Sequence, residues 1–151
     1  MEITFLPADE TDIAPILEQS LALVERYEDF SIIDKEEVFA WLRRKTERRI
    51  GEYTRILCDG VTAGWIRACD EGEKLELDDL YVLPAFQNRG IGTAVLQKTL
   101  SESTKPVYFY VFARNTGAIR LYERLGFRVR EQVGDTRLIM EQNPGQEKPL
   151  S

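Results

Sequence analysis

Histidine is the most informative absence in this chain, because none occurs among its 151 residues. Imidazole is the side chain that changes charge near neutral pH. Its absence excludes a histidine general base, a serine or cysteine triad that uses histidine, and a metal site built on imidazole. Any acid–base chemistry must therefore come from Asp, Glu, Tyr, Cys or Lys.

Cysteine and long apolar runs are also scarce. Only Cys58 and Cys69 occur, in strands that we predict to be neighbours. No apolar run approaches the ~20 residues of a membrane span, and residues 1–5 lack the basic and apolar segments of a secretory signal. We therefore expect a cytoplasmic protein whose thiols are free and buried rather than joined.

The net charge limits the kinds of molecule that the protein is expected to bind. The net charge of −6 argues against a nucleic-acid binder, because neutralising phosphates requires a basic face, and it favours a cationic partner such as an amine. The basic cluster at residues 43–49 is expected to be a solvated helix face.

The length suits one domain, which we place at residues 1–142 with a frayed tail at residues 143–151.

Hydrophobic periodicity alternates between strand and helix patterns and predicts the order β-α-α-β-β-β-α-β-α-β-β. This order describes a mixed α/β sheet of seven strands with four helices on its two faces. Asp59 and Gly60 predict a hairpin turn. The strands are expected over residues 3–5, 53–58, 61–68, 74–82, 107–112, 127–133 and 136–141, and the helices begin near Asp9 or Thr11, Asp34, Gly90, and Asn115 or Thr116.

The segment at residues 80–92 is the most specific pattern in the chain. A strand ends before Pro84, and a polar loop then leads to Gly90 and Gly92 at the start of a helix. The first helical N–H groups lack partners and the helix dipole adds positive charge, so glycines there allow a phosphate to approach. With Gln87, Asn88 and Arg89 around it, the turn would suit a pyrophosphate.

Spacing separates the ligand families that use such a turn. Gly92 is followed by Thr93 rather than by the lysine of a phosphate-binding P-loop. Val95 stands where a dinucleotide-binding turn needs a third small residue, and no acid follows near residues 112–113. The spacing therefore disfavours both a P-loop and a dinucleotide-binding turn.

The remaining pattern, Gln/Arg-x-x-Gly-x-Gly/Ala, is matched at every defined position by residues 87–92. Residues 113–127 resemble a second block with an Asn, a Tyr and a final Gly-Phe. On both motifs the chain resembles the GNAT superfamily of acyl-CoA-dependent N-acyltransferases, over about residues 2–142 and specifically over residues 75–127. The resemblance implies a single-domain α/β fold with a mixed, mostly antiparallel sheet of about seven strands and four helices.

The resemblance also implies acetyl-CoA as the acyl donor and no metal. Leu80 would present its backbone N–H to the thioester oxygen, and Val82 would pair with the pantetheine arm like a strand. Asn115 would bind the pantetheine, cap the fourth helix, or do both. The implied cofactor-binding residues are Leu80, Tyr81, Val82, Gln87, Asn88, Arg89, Gly90, Ile91, Gly92, Thr93, Asn115, Ala118 and Tyr122.

For catalysis, the resemblance implies Glu76 as general base and Tyr122 as the acid that protonates the leaving thiolate. Asp78 and Asp79 are rivals of Glu76, and repulsion within such a carboxylate cluster can raise one pKa. Alternatively, the carboxylates have no proton role and Tyr122 only packs in the core. The expected acceptor-binding residues are Tyr27, Phe30, Trp65, Asp79 and Tyr110.

We thus expect an N-acetyltransferase in which a primary amine of a small molecule, protein or peptide attacks acetyl-CoA in a ternary complex. A non-catalytic acyl-CoA sensor is the main alternative. A covalent route through Cys58 or Cys69 is a second alternative. The expected partners include neither nucleic acid nor membrane, and the chain is expected to be a monomer or a homodimer.

Overall fold

The computed structural model describes residues 1–143, so the predicted tail at residues 143–151 lies outside the described residues except for Asn143. The predicted order of strands and helices is confirmed. The elements are β1 (Ile3–Pro7), α1 (Ile13–Tyr27), α2 (Lys35–Arg49), β2 (Tyr53–Cys58), β3 (Val61–Asp70), β4 (Leu75–Val82), α3 (Ile91–Glu102), β5 (Val107–Phe112), α4 (Thr116–Arg124), β6 (Arg128–Val133) and β7 (Arg137–Gln142).

The strands form one sheet in the order β1-β2-β3-β4-β5-β7-β6. β4 and β5 pair in parallel, whereas β1–β2, β2–β3, β5–β7 and β6–β7 are antiparallel. This confirms the mixed, mostly antiparallel α/β class. The parallel pairing joins Leu75 to Val107 and Glu76 to Tyr108, at the beginning of both strands.

Polar side chains cap the helices where the sequence indicates. Asp9 accepts a hydrogen bond from the Thr11 N–H in a short 3-10 turn that leads into α1. Asp34 caps α2, and the Asn115 side chain accepts from the Ala118 N–H at the start of α4. Each cap satisfies an N–H that the helix leaves without a partner.

The chain divides into two compact units. The first contains residues 1–67 and 79–91, and the second contains residues 68–78 and 92–143 of the described chain. In the first unit, Ile16, Tyr53 and Trp65 form a buried cluster. Further apolar residues packed against this cluster are Ala8, Ile50, Tyr81 and Leu83.

The core of the second unit is built on β5. Its odd-numbered residues Val107, Phe109 and Val111 are buried, as the alternating side-chain directions of a strand require. The Phe109 ring lies 4.7 Å from the ring of Phe127, which is also buried. The opposite face of β5 carries Tyr108 and Tyr110, which are at least partly exposed.

Both cysteines are free: Cys58 is buried, as predicted, whereas Cys69 is only half-buried. Within residues 1–143, no helix has the length and apolar character needed to cross a membrane.

Candidate functional site

The loop that follows β4 is open to solvent. After a 3-10 turn at Pro84–Phe86, the residues from Gln87 to Gly90 are exposed. Asn88 and Gly90 have left-handed backbone conformations, with φ of 63° and 80°. Glycine adopts this conformation without strain, and asparagine tolerates it better than most residues. The left-handed φ of Gly90 thus accounts for the first glycine of the pattern.

Gln87 contributes a contact that the sequence did not reveal. Its side-chain Nε2 donates a hydrogen bond to the Val82 carbonyl at 3.0 Å. This bond forms because the 3-10 turn brings the chain back toward the end of β4. It ties the exposed loop to the residue expected to pair with pantetheine.

Gly64 on β3 is a second feature that sequence reasoning missed. A Cβ atom at this position would lie 1.9 Å from the Tyr81 carbonyl oxygen and 3.1 Å from the Val82 Cα. The Leu83 N–H donates to the Ala63 carbonyl at 2.8 Å beside this contact. The end of β4 therefore lies against β3 at a distance that only glycine permits.

Asp79 is the centre of a polar cluster in the first unit. Its carboxylate accepts hydrogen bonds from the Tyr53 hydroxyl and, at 2.8 Å, from the Tyr81 hydroxyl. Lys45 Nζ lies 3.5 Å from Asp79 Oδ2, and the two side chains are only 14% and 11% exposed. Lys45 thus departs from the solvated basic face that we predicted for residues 43–49.

Glu76 belongs to a different group, in the second unit. The Tyr108 hydroxyl lies 3.2 Å from Glu76 Oε2 and also forms a hydrogen bond with Glu71. Burial raises the pKa of the Tyr108 phenol, and the hydrogen bond to Glu71 and the charges of both carboxylates raise it further. Asp78, the other predicted rival, is half-buried on β4.

A cavity of about 340 Å³ lies beside Tyr108 in the second unit. The rings of Tyr108 and Tyr110 meet edge to face in it, with their centroids 6.3 Å apart. The side chain of Tyr110 is exposed to solvent, and its acceptor role stays a prediction. The lining residues are Glu71, Glu73, Lys74, Tyr108, Tyr110, Arg130 and Ile139.

Tyr122 lies on α4, and its ring packs at 4.5 Å against Phe109. Burial raises the pKa of its phenol, because the apolar surroundings disfavour the phenolate. The residue is therefore both a packing residue and a hydroxyl that stays protonated at neutral pH. At the start of the same helix, Asn115 Oδ1 accepts from the Ala118 N–H at 3.3 Å, and its side-chain amide N–H groups can also donate to a ligand.

Trp65 is placed in the core rather than on an acceptor surface. Its side chain is 1% exposed, and its Nε1 donates to Asp12 at 3.0 Å. Burial opposes ionisation of Asp12, but hydrogen bonds that include a 2.7 Å contact with Arg55 hold its pKa below the usual value. Because this network fills the site around Trp65, the acceptor surface proposed below excludes it.

The other predicted acceptor residues of the first unit lie where α1 ends. Tyr27 is the last residue of α1, and the Arg26 guanidinium lies 5.2 Å from the centre of its ring. Phe30 meets Phe39 edge to face at 6.2 Å. Both aromatic side chains are half-buried.

Comparison with known proteins relates this chain to acetyltransferases. The sequence profile of the Acetyltransferase (GNAT) family matches residues 17–127. An uncharacterized N-acetyltransferase of Methanocaldococcus jannaschii is 37% identical over 82 residues. That match covers 52% of this chain and 35% of the relative, so the chain spans about a third of the curated protein that it matches.

Solved structures share the fold. PaiA N-acetyltransferase from Thermoplasma acidophilum, in complex with coenzyme A, matches with a TM-score of 0.72 at 22% identity, over 95% of this chain and 99% of that chain. YncA from Salmonella typhimurium, with its cofactor acetyl-CoA, gives 0.64 at 22% identity, over 100% and 99% of the chains. The ribosomal-protein-S18-alanine N-acetyltransferase of Escherichia coli gives 0.67 at 21% identity, over 97% and 96%.

At these identities the structural likeness shows the fold alone. The family profile adds sequence evidence over most of the chain, and it contains both motifs and the open loop after β4. This chain belongs to the GNAT acetyltransferase family.

Proposed function

We propose that this chain is an N-acetyltransferase that moves the acetyl group of acetyl-CoA to a primary amine of a small molecule, protein or peptide. The observation that carries the proposal is the loop that leads into α3. Residues 87–92 have the family's glycine spacing, residues 87–90 are exposed, and Asn88 and Gly90 are left-handed. Coenzyme A in the PaiA complex and acetyl-CoA in YncA support the choice of donor.

In this proposal the loop binds the pyrophosphate of acetyl-CoA. Backbone N–H groups at a helix start and the cationic Arg89 favour an anion there. The Leu80 N–H donates to the thioester oxygen, and the Val82 backbone pairs with pantetheine, so apolar side chains at both positions suit their roles. The full proposed donor set is Leu80, Tyr81, Val82, Gln87, Asn88, Arg89, Gly90, Ile91, Gly92, Thr93, Asn115, Ala118 and Tyr122.

Gly90→Ala should weaken acetyl-CoA binding about tenfold, because a left-handed conformation costs a residue with a Cβ about 1–2 kcal/mol. No atom lies within 4 Å of the added Cβ among the described residues, so the effect would come from the backbone alone. Isothermal titration with acetyl-CoA measures it. Gly60→Ala is the matched control, because Gly60 has a similar left-handed φ of 83° and no described atom within 4 Å of an added Cβ, but lies in the β2–β3 hairpin outside the proposed donor set. It should retain wild-type affinity within about twofold. Equal affinities for Gly90→Ala and the wild type would count against the loop as the pyrophosphate site.

The proposed chemistry uses two proton carriers. Glu76 accepts a proton from the attacking amine, directly or through water, as the C–N bond forms. The Leu80 N–H stabilises the charge that develops on the thioester oxygen. The C–S bond then breaks, and Tyr122 donates its proton to the departing thiolate. Burial raises the pKa of the Tyr122 phenol, so the hydroxyl carries its proton at neutral pH.

Glu76→Gln should lower kcat about a hundredfold, as expected for loss of a general base, and should remove the rise of kcat with pH. The amide keeps the size of the side chain and can still hydrogen-bond to Tyr108. The pH profile of CoA release measures this effect. Asp78→Asn and Asp79→Asn are the comparison variants. If the pH profile of Glu76→Gln is unaltered and that of one aspartate variant is flattened, the base role would belong to that aspartate.

The proposed acceptor-binding residues are Tyr27, Phe30 and Asp79 in the first unit and Tyr110 in the second. The carboxylate and the aromatic rings suit a cationic amine. Asp79 is held by two tyrosine hydroxyls and pairs with the Lys45 ammonium, which shows that its carboxylate is oriented toward a cationic group.

Titration with acetyl-CoA, followed by thiol detection across an amine panel, tests the whole proposal. Binding together with turnover of at least one primary amine is the expected result. Binding without turnover of any amine would favour the sensor alternative. Absence of acetyl-CoA binding would exclude both functions.

A further inference from the structure

We propose that Lys45 is a self-acetylation site, modified by the acetyl-CoA bound to its own chain. This inference rests on the proposed function, because it uses the same donor. It concerns a lysine that the donor and acceptor roles described above do not use.

The first observation is where the Lys45 ammonium lies. Lys45 is near the end of α2, and its Nζ reaches Asp79 Oδ2 on β4 at 3.5 Å. The next residue along β4 is Leu80, the proposed donor to the thioester oxygen, and adjacent Cα atoms are ~3.8 Å apart. The Lys45 ammonium is therefore paired with the residue that precedes the proposed thioester-binding residue in β4.

The second observation is that contacts hold Lys45 in this position. Its Nζ also lies 5.5 Å from the centre of the Trp41 ring, within the range of a cation–π contact. Asp79 is itself anchored by Tyr53 and Tyr81. A nucleophile that is held near its target needs less ordering to react than one on a free side chain.

The third observation is the contrast with the other described lysines, whose ammoniums pair elsewhere. Lys35 pairs with Glu25 and Lys98 with Glu102, and these lysine side chains are 46% and 50% exposed. Lys74 and Lys105 are 30% and 34% exposed, against 14% for Lys45. Uncatalysed acetylation should follow exposure and modify Lys45 last, whereas acetylation directed by the site should modify it first.

The proposed acetylation of Lys45 conserves atoms and charge. The ammonium gives one proton to Asp79, and from there it passes to water. The neutral Nζ attacks the thioester carbon, the N–C bond forms, and the C–S bond breaks with its electron pair going to sulfur. The thiolate takes the second proton from nitrogen. The products are an amide at Lys45, free CoA thiol and one released proton.

The test is incubation of the intact protein with acetyl-CoA and no added amine, followed by proteolysis and mass spectrometry over time. Lys45 should gain one acetyl group at least tenfold faster than Lys35 or Lys98. Its first-order rate should not depend on protein concentration, because donor and acceptor belong to one chain. Acetic anhydride on the folded protein is the matched chemical control and should prefer Lys35 and Lys98. Lys45→Arg should still bind acetyl-CoA but lose the fast acetylation.

Three results would overturn the inference, and they are distinguishable. If an added amine is acetylated while Lys45 is not, the inference fails and the proposed function stands. If Lys45 acetylation accelerates with protein concentration, another copy performs it and the geometry argued here is wrong. If acetyl-CoA does not bind, the proposed function fails as well.

Discussion

Replacing Gly64 with alanine is expected to lower the free energy of unfolding by about 3 kcal/mol, at the upper end of the usual cost of overpacking. The added Cβ would lie 1.9 Å from the Tyr81 carbonyl oxygen. This neighbour is backbone rather than the end of a flexible side chain, so the two strands must separate to accept it. Urea unfolding monitored by circular dichroism measures the change.

The same substitution should weaken acetyl-CoA binding at least tenfold. Tyr81 and Val82 are the residues that Gly64 contacts, and Val82 is the residue whose backbone would pair with pantetheine. A shift of β4 would displace that backbone. Titration in conditions where the variant is folded separates this effect from the loss of stability.

Gly117→Ala is the matched control for Gly64→Ala. Gly117 lies in the first turn of α4, and no described atom lies within 4 Å of an added Cβ. Alanine in a helix should raise the free energy of unfolding by about 0.5–1 kcal/mol. Opposite signs for the two variants would identify the contact with Tyr81 as the cause. Gly64→Ala with the stability of the wild type would contradict the close approach of β3 and β4.

Replacing Tyr122 with phenylalanine is expected to lower kcat at least tenfold, which corresponds to about 1.4 kcal/mol of activation free energy. The variant loses only the hydroxyl that would protonate the thiolate. Its ring can still pack against Phe109, so the affinity for acetyl-CoA and the fold should be retained. Steady-state CoA release, with titration of the same preparation, measures both quantities.

The pH dependence gives Tyr122 a second test. Burial raises its pKa above the ordinary value of about 10, so the phenol holds its proton throughout the range below that value. The wild type should therefore show no fall in kcat from deprotonation of Tyr122 up to about pH 10. An unchanged kcat in Tyr122→Phe would assign the residue to the core alone and leave protonation of the thiolate to solvent.

Much of the predicted fold rested on residues that are close to one another in the sequence. The caps at Asp9, Asp34 and Asn115 are satisfied within a few residues of chain, and the hairpin turn has left-handed φ values at Asp59 and Gly60. Such contacts depend on sequence neighbours, so a pattern can identify them. The glycine spacing of the loop after β4 is local for the same reason.

Contacts between distant residues could not be predicted. Trp65 is indistinguishable in sequence from an exposed aromatic residue, and only its bond to Asp12 places it in the core. Lys45 has the helical spacing of a solvated basic face, but its side chain is largely buried because it pairs with Asp79, 34 residues later in the chain. Gly64 shows no turn signal, because its small size is required by a neighbouring strand.

The sequence by itself therefore determined the order of elements, the family and the glycine spacing of the loop after β4, since these depend on spacing along one stretch of chain. The tertiary structure decided which carboxylates share which partners: Glu76 with Tyr108, and Asp79 with Tyr53, Tyr81 and Lys45. The physical reason is that a hydrogen bond or an ion pair acts only within a few ångströms. Residues dozens of positions apart come within that range only when strand pairing and helix packing bring them together.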